Sequence, residues 1–198
     1  MGKVNSHVNA NIVDYIQSNG TDNQYINTSY VPNDNSVFEI VFKIPSFNKP
    51  YMSPFGTRYE NADNCYVWFQ SNRVYTGWGN TDSLNVTMPV TTGVKYKMTF
   101  SKGYLKIENC ATGSVIAETT FTAATINTNR TVYLFTNNDI PNINGALFTI
   151  YSFKVKENDT VVKNLKSVIV NGVGAMVDKL NGEYFYNAGT GSFAAGLE

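Results

Sequence analysis

The feature that most constrains the fold is a strict alternation of apolar and polar side chains. Between residues 37 and 44 every second residue is a large apolar one, and Glu39 and Lys43 fall on the opposite face. The same period of two returns over residues 95–100, where lysine and threonine separate the apolar positions. Such alternation is typical of a half-buried antiparallel β-strand. We therefore expect sheets that bury one face and leave the other in contact with solvent.

Many further segments fit short strands bounded by Asn, Gly and Pro turns. Two of them, 132–135 and 146–155, are apolar on both faces, which predicts central strands covered by another layer. Residues 8–17 could form a short helical turn, but no segment shows an extended helical period. About a dozen short strands predict an all-β fold, a two-sheet antiparallel β-sandwich. The remaining strands are expected at 25–31, 51–57, 65–70, 73–78, 104–108, 115–121, 160–167 and 182–186.

The length of 198 residues suits one large β domain. We place that domain at 12–196, after a polar leader over 1–11, and interpret Met1-Gly2 and Leu197-Glu198 as cloning scars. No apolar run approaches the roughly 18 residues of a membrane span. The first residues also lack the basic and apolar regions of a signal peptide.

Lysine plus arginine equals aspartate plus glutamate at 15 each, and the sequence contains no basic run. Nonspecific binding to nucleic acid depends on cationic side chains that displace counterions from the phosphates. The balanced charge therefore argues against a nucleic-acid partner.

The two cysteines, Cys65 and Cys110, could form one disulfide or remain two small apolar side chains. Together with the single histidine, His7, they are too few for a closed zinc site. Single acidic residues occur in the loops, usually next to Asn, and these fit turn formation; none forms the spaced cluster typical of a calcium ion, which needs six to eight oxygen ligands. These acids are Asp22, Asp34, Asp63, Asp82, Asp139 and Asp178.

The richest candidate surface lies between residues 58 and 82, where aromatic and planar polar side chains are mixed. Sugars offer an apolar face that stacks on aromatic rings and hydroxyls that pair with amide, guanidinium and carboxylate groups. Trp78 stands between two glycines and is expected in a turn, where its ring is either exposed, as a sugar site would need, or plugs the loop. The face shared by Tyr66 and Trp68 could be either outward or core. The candidate ligand-binding residues are Arg58, Tyr59, Trp68, Arg73, Tyr75, Trp78, Asn80 and Asp82.

No catalytic set accompanies this surface. A retaining glucanase places two glutamates on one strand, and this spacing is absent because the glutamates are scattered. A Ser-His-Asp triad would require His7, which lies in the polar leader. We therefore expect the chain not to be an enzyme.

Four stretches, 14–33, 53–80, 147–165 and 174–193, together resemble a known family. The closing "GAMVDKLNGEYFYNAGTGSF" is the most specific of them. The series is similar to the laminin-G-like, concanavalin A-like jelly-roll domains of gut-bacterial surface proteins and their phages. This resemblance implies two antiparallel sheets packed face to face, and carbohydrate binding, which is frequent across the wider superfamily. It also leaves calcium open as a cofactor, because domains of this superfamily often hold it through loop carboxylates and carbonyls.

The resemblance also implies an extracellular, cell-surface or virion location without insertion into a membrane. The function expected from the sequence is a non-catalytic, carbohydrate-binding or adhesive module whose partner is a glycan or surface polysaccharide. The alternative is a structural or assembly module that contacts other chains of a virion or surface assembly.

Overall fold

The computed structural model describes residues 9–58, 64–87, 90–139 and 145–198. This part of the chain contains 17 strands. In chain order they are β1 (Ala10–Ile12), β2 (Tyr15–Gln17), β3 (Ile26–Asn27), β4 (Ser36–Lys43), β5 (Phe55–Thr57), β6 (Asn64–Gln70), β7 (Arg73–Gly79), β8 (Thr81–Thr87), β9 (Lys95–Ser101), β10 (Tyr104–Asn109), β11 (Val115–Thr120), β12 (Tyr133–Leu134), β13 (Thr149–Glu157), β14 (Thr160–Val170), β15 (Val173–Asp178), β16 (Tyr184–Phe185) and β17 (Ala194–Gly196).

The strands form two antiparallel sheets. The larger sheet has 11 strands and runs β11-β10-β9-β4-β13-β14-β15-β16, with β1 beside β14 and β2 between β13 and β17. The smaller sheet has six strands in the order β3-β12-β5-β6-β7-β8. The predicted all-β sandwich is confirmed. The helical turn expected at 8–17 is wrong for the described part of that segment, because the backbone of 10–12 and 15–17 pairs with β14, β13 and β17.

The core lies between the two sheets and is dominated by aromatic rings. Phe38 and Phe42 on β4 are fully buried, while the alternate residues of that strand face away from the core. Across the sandwich the Phe38 ring lies 5.1 Å from that of Phe55, and the Phe42 ring lies 5.3 Å from that of Phe69. Each such ring removes about 150–250 Å² from water, which makes these contacts a main source of stability. The alternation in the sequence thus identified the core face of β4 correctly.

The two cysteines are free thiols in different surroundings. Cys65 is buried in the core, and burial raises the pKa of its thiol well above the ordinary value. Cys110 is exposed. The sequence left open whether the two cysteines form a disulfide, and in the structure both are free thiols. No helix within the described ranges has both the length and the hydrophobicity to cross a membrane.

Candidate functional site

The outer face of the smaller sheet carries a band of aromatic side chains. Along β6, Cys65, Val67 and Phe69 point into the core. The alternate residues Tyr66 and Trp68 therefore lie on the outer face, which decides the question that the sequence left open. Tyr66 is nevertheless only 2 % exposed, whereas Trp68 is half-buried.

Tyr66 is covered because its ring lies across a glycine of the neighbouring strand. Tyr66 and Gly77 face each other in the β6–β7 register. A Cβ atom on Gly77 would stand 2.4 Å from Tyr66 Cε1, so a larger residue would displace the ring. The Tyr66 ring in turn packs against Trp68, with the ring centroids 4.4 Å apart. Gly77 thus leaves the space that the Tyr66 ring occupies, and Trp68 packs against that ring.

Three rings form what we call the aromatic platform: Tyr51, Trp68 and Tyr75. The centroid of Tyr51 lies 5.4 Å from that of Trp68 and 5.9 Å from that of Tyr75. Tyr51 is 48 % exposed, and Tyr75 donates its hydroxyl proton to Gln70 Oε1 at 2.9 Å. The platform therefore offers apolar ring surface to solvent at one end of the sheet.

Arg58 connects the platform to a carboxylate. Its guanidinium carbon lies 4.8 Å from the Trp68 ring centroid, a distance at which a cation is attracted by the ring face. On the other side, Nη1 lies 3.7 Å from Asp139 Oδ2. The Arg58 backbone N–H donates to the Asn138 carbonyl oxygen at 3.2 Å, which fixes the base of the side chain. Ring, cation and carboxylate are therefore held in one row.

These groups border a cavity of about 190 Å³, which we call the Arg58–Trp68 pocket. Ser53 Oγ donates to Asn137 Oδ1 at 2.5 Å and orients that amide. At the rim Lys49 forms an ion pair with Asp22. The pocket combines an apolar ring with hydrogen-bond donors and acceptors of both charges. Its lining residues are Lys49, Pro50, Tyr51, Ser53, Arg58, Trp68, Thr136, Asn137 and Asp139.

Of the candidate residues from the sequence, Arg58 and Trp68 lie in the pocket and Tyr75 in the adjoining platform. Arg73 and Asn80 are exposed at the two ends of β7, away from the pocket lining.

The side chains of two further candidates, Tyr59 and Asp82, lie outside the described part of the structure. Tyr59 lies outside the described residues, as do His7 and Asp63. The backbone of Asp82 lies in β8 opposite Gly77, and its side chain is outside the described part.

The prediction for Trp78 is wrong. Trp78 belongs to β7, on the face that points into the core, and is fully buried. Its ring packs 5.4 Å from that of Phe100, and its indole N–H donates to Asp34 Oδ1 at 3.4 Å. The turn lies just after the tryptophan: Gly79, with a φ of 64°, and Asn80 connect β7 to β8, and Trp78 pairs across this turn with Thr81. Gly77 lies within the strand, where the Tyr66 ring packs over it.

All the remaining lining residues come from two segments that the sequence interpretation did not select as part of a site, 49–53 and 136–139. The second follows β12 and reaches the pocket through a bridge between Thr57 and Asn138. In the sequence, this segment could have been found from three consecutive polar residues, Asn137-Asn138-Asp139, which closely follow a buried apolar strand. The first segment offered only Tyr51, one of 13 tyrosines.

The acidic residues considered for calcium are mostly held by cations. Asp22 pairs with Lys49, Asp34 with Lys102, Asp139 with Arg58 and Asp178 with Lys163. Burial alone would raise the pKa of Asp34, but hydrogen bonds from Lys102, the Ile126 N–H and Trp78 outweigh it and lower the pKa. Within the described ranges no group of three or more His, Cys, Asp or Glu side chains is placed to share a metal ion.

Two solved structures share the architecture. Domains LG4-5 of the mouse laminin α1 chain superpose with a TM-score of 0.50 at 15 % identity, over 83 % of this chain and 48 % of the laminin fragment. The heptameric SAP-like pentraxin of Limulus polyphemus gives a TM-score of 0.50 at 12 % identity, over 84 % of this chain and 95 % of the pentraxin. The chain has a concanavalin A-like jelly-roll fold.

This chain spans about half of the laminin fragment that it resembles. No protein-family model matches the sequence, and no curated protein does. The jelly-roll fold occurs in non-catalytic binding domains and also in glucanases. Because fold does not determine function, the activity has to be argued from the pocket.

Proposed function

We propose that this jelly roll is a non-catalytic carbohydrate-binding module, and that the Arg58–Trp68 pocket holds one sugar ring. The observation that carries the proposal is the row formed by Trp68, Arg58 and Asp139, with 4.8 Å between guanidinium and ring and 3.7 Å between guanidinium and carboxylate. The apolar face of a pyranose can stack on the platform. Its hydroxyls can then donate to Asp139 and accept from Arg58 and Asn137.

The number of carboxylates in the described lining of the pocket favours binding over hydrolysis. Glycosidases use a pair of carboxyl groups, about 5 Å apart in retaining enzymes and roughly 6.5–9.5 Å apart in inverting ones. Among the described lining residues Asp139 is the only acid, and it is paired with Arg58. A lone carboxylate held by a guanidinium suits hydroxyl recognition.

The proposed setting is an adhesive module on a phage virion or a bacterial cell surface, outside the cell. It is supported by the jelly-roll fold and by the sequence resemblance to domains of such proteins. In that setting the natural ligand is a surface or dietary polysaccharide, met by an exposed platform of which Tyr51 is the most accessible ring.

A glycan array followed by calorimetric titration tests the proposal. Trp68→Ala should abolish measurable binding, and Arg58→Lys, which keeps the charge but loses the planar donor pair, should weaken it about tenfold. Tyr186→Ala is the matched control, because Tyr186 is an exposed ring, 44 % accessible, that does not line the pocket. It should bind like the unmodified protein.

The proposal fails if no glycan on the array binds, or if Trp68→Ala binds as well as the unmodified chain. Absence of glycan binding together with an obligate oligomer in light scattering would instead support the structural or assembly module.

A further inference from the structure

The outer face of the larger sheet collects most of the lysines of the chain. Eight of the 12 lysines in the sequence project from this face, although none of them is part of a basic run. Period-two alternation puts seven of them there, because the residues between them in each strand point into the core. The eighth, Lys179, follows the end of β15 and lines the same cavity as Lys95 and Lys166. The eight are Lys43, Lys95, Lys97, Lys106, Lys154, Lys156, Lys166 and Lys179.

Two adjoining cavities of about 290 and 590 Å³ open on this face and share Asn164 and Lys166. Three lysines line each cavity, with one carboxylate apiece: Glu39 in the smaller and Asp14 in the larger. Positive charge is therefore in excess in both. The sequence, with balanced charge overall, gave no sign of this cationic face.

One pair of lysines lies so close together that an anion between them would relieve their repulsion. Lys43 on β4 and Lys95 on β9 face each other directly across the two strands. Like charges opposite one another in an antiparallel pair destabilise a sheet. A register shift in β13 between Ile150 and Ser152 brings the Tyr151 ring beside them, 3.9 Å from Lys95 Nζ and 5.8 Å from Lys43 Nζ. We call these three residues the Lys43–Lys95–Tyr151 cradle.

The cradle holds a carboxylate, that of Glu198. Lys43 bonds to Oε1, Lys95 Nζ lies 2.9 Å from Oε2, and the Tyr151 hydroxyl donates to Oε1 at 2.5 Å. Hydrogen bonds from Lys43, then Lys95, then Tyr151 lower the pKa of Glu198 to about 2. One carboxylate therefore contacts all three donors of the cradle, with Oε1 facing Lys43 and Tyr151 and Oε2 facing Lys95.

We propose that the Lys43–Lys95–Tyr151 cradle is a binding site for the carboxylate of an acidic sugar chain, and that the carboxylate of Glu198, a residue interpreted above as part of a cloning scar, stands in for that group. The site lies on the opposite sheet from the Arg58–Trp68 pocket and does not depend on the function proposed for that pocket. Removal of Glu198 from the cradle frees two ammonium groups and one hydroxyl for a uronate.

The surroundings of the cradle favour a carboxylated glycan over a nucleic acid. The larger cavity contains both Lys95 and Tyr151 of the cradle, and it adds the Asn164 amide and the apolar Val13. These groups can contact the hydroxyls and the apolar face of a sugar ring. Single strands of nucleic acid stack their bases on exposed aromatic rings, whereas Tyr151, the one aromatic side chain among the described residues of this cavity lining, is only 8 % exposed.

Binding of polygalacturonate, with its fully methyl-esterified form as the uncharged control, tests the proposal. Glu198→Gln, which removes the competing charge, should bind polygalacturonate about tenfold more tightly than the unmodified chain. The double variant Lys43→Gln/Lys95→Gln should lose at least about tenfold, and added salt should weaken all binding to the cradle.

Lys106→Gln is the matched control, because Lys106 lies on the same face but pairs with Glu108 on its own strand. It should leave the affinity unchanged, and so should Trp68→Ala on the other sheet, which separates this proposal from the proposed function. Circular dichroism and unfolding midpoints confirm that each variant is folded.

The proposal is overturned if Glu198→Gln and the double lysine variant bind polygalacturonate equally, or if the methyl ester binds as well as the acid. Tighter binding of poly-L-glutamate or of a single-stranded oligonucleotide than of polygalacturonate would also overturn it, and would assign the face to a peptide or to nucleic acid.

Discussion

Replacing each tryptophan by alanine should separate the core of the sandwich from its candidate binding surface. Trp78 is fully buried, and its ring centroid lies 5.4 Å from that of Phe100 and 6.4 Å from that of Phe38. Truncating a buried Trp or Phe to Ala costs about 3–5 kcal/mol in unfolding free energy, from lost transfer and a residual cavity. Against a typical total of about 5–15 kcal/mol, Trp78→Ala therefore removes a large share of the stability.

Trp68→Ala should behave differently. Trp68 is half-buried on the outer face, where it contacts Tyr66, Tyr51 and Arg58. We expect a loss of about 1 kcal/mol in unfolding free energy, in the range of ordinary single substitutions. Equilibrium unfolding in urea, followed by circular dichroism, measures both variants, and Trp78→Phe, which keeps an apolar ring, should fall between them.

Fluorescence quenching of the folded protein checks the same assignment by a measurement that is independent of stability. The chain has two tryptophans, so Trp68→Phe and Trp78→Phe each leave one emitting ring. Iodide should quench Trp68 and leave Trp78 almost unaffected. Equal destabilisation by the two alanine substitutions, or efficient quenching of Trp78, would refute the placement of the two rings.

Two further predictions concern thiols and acid. In the native protein a thiol reagent should modify one cysteine, the exposed Cys110, and should reach the buried Cys65 only after unfolding; fast modification of two thiols would contradict this. Burial raises the pKa of Glu39, but a hydrogen bond from Lys156 and the charge of Lys154 outweigh it, so the folded pKa lies below 4.5. A carboxylate with a lowered folded pKa stabilises the protein above its unfolded pKa and loses that contribution as pH falls. The difference in unfolding free energy between the unmodified chain and Glu39→Gln should therefore shrink as pH drops below 4.5, and a difference that grows would contradict the pairing.

The sequence predicted the core more accurately than the site, and the reason is local. Phe38 and Phe42 could be assigned to one buried face because the pattern within a single strand carries that information. Trp78 could not be placed in the same way, since Gly-Trp-Gly looks like a turn unless the ring lying over Gly77 is known. That ring comes from the neighbouring strand, so only the register between β6 and β7 reveals it.

The pocket required still longer-range information. Asp139 meets Arg58 because the chain after β12 returns beside β5, through a bridge between Thr57 and Asn138. These positions are far apart in the sequence, and no period of two or of 3.6 relates them. Arg58 and Trp68 could be selected from the sequence because both lie in the segment 58–82 that is rich in aromatic and planar polar residues: Arg58 directly follows β5, and Trp68 lies on the adjacent β6. Asp139 lies outside that segment and was not selected.

The alternation that identified the core also determines which side chains each sheet exposes to solvent. As a result, a chain of zero net charge has two chemically different outer faces, one on each sheet. On the larger sheet, positions opposite the core residues of β9 and β13 are lysines, among them Lys97 and Lys154. On the smaller sheet, the corresponding positions of β6 and β7 are aromatic, among them Trp68 and Tyr75. Net charge averages over both faces and so hides the separation. The register of the strands therefore determines that one sheet has a lysine-rich outer face and the other an aromatic one.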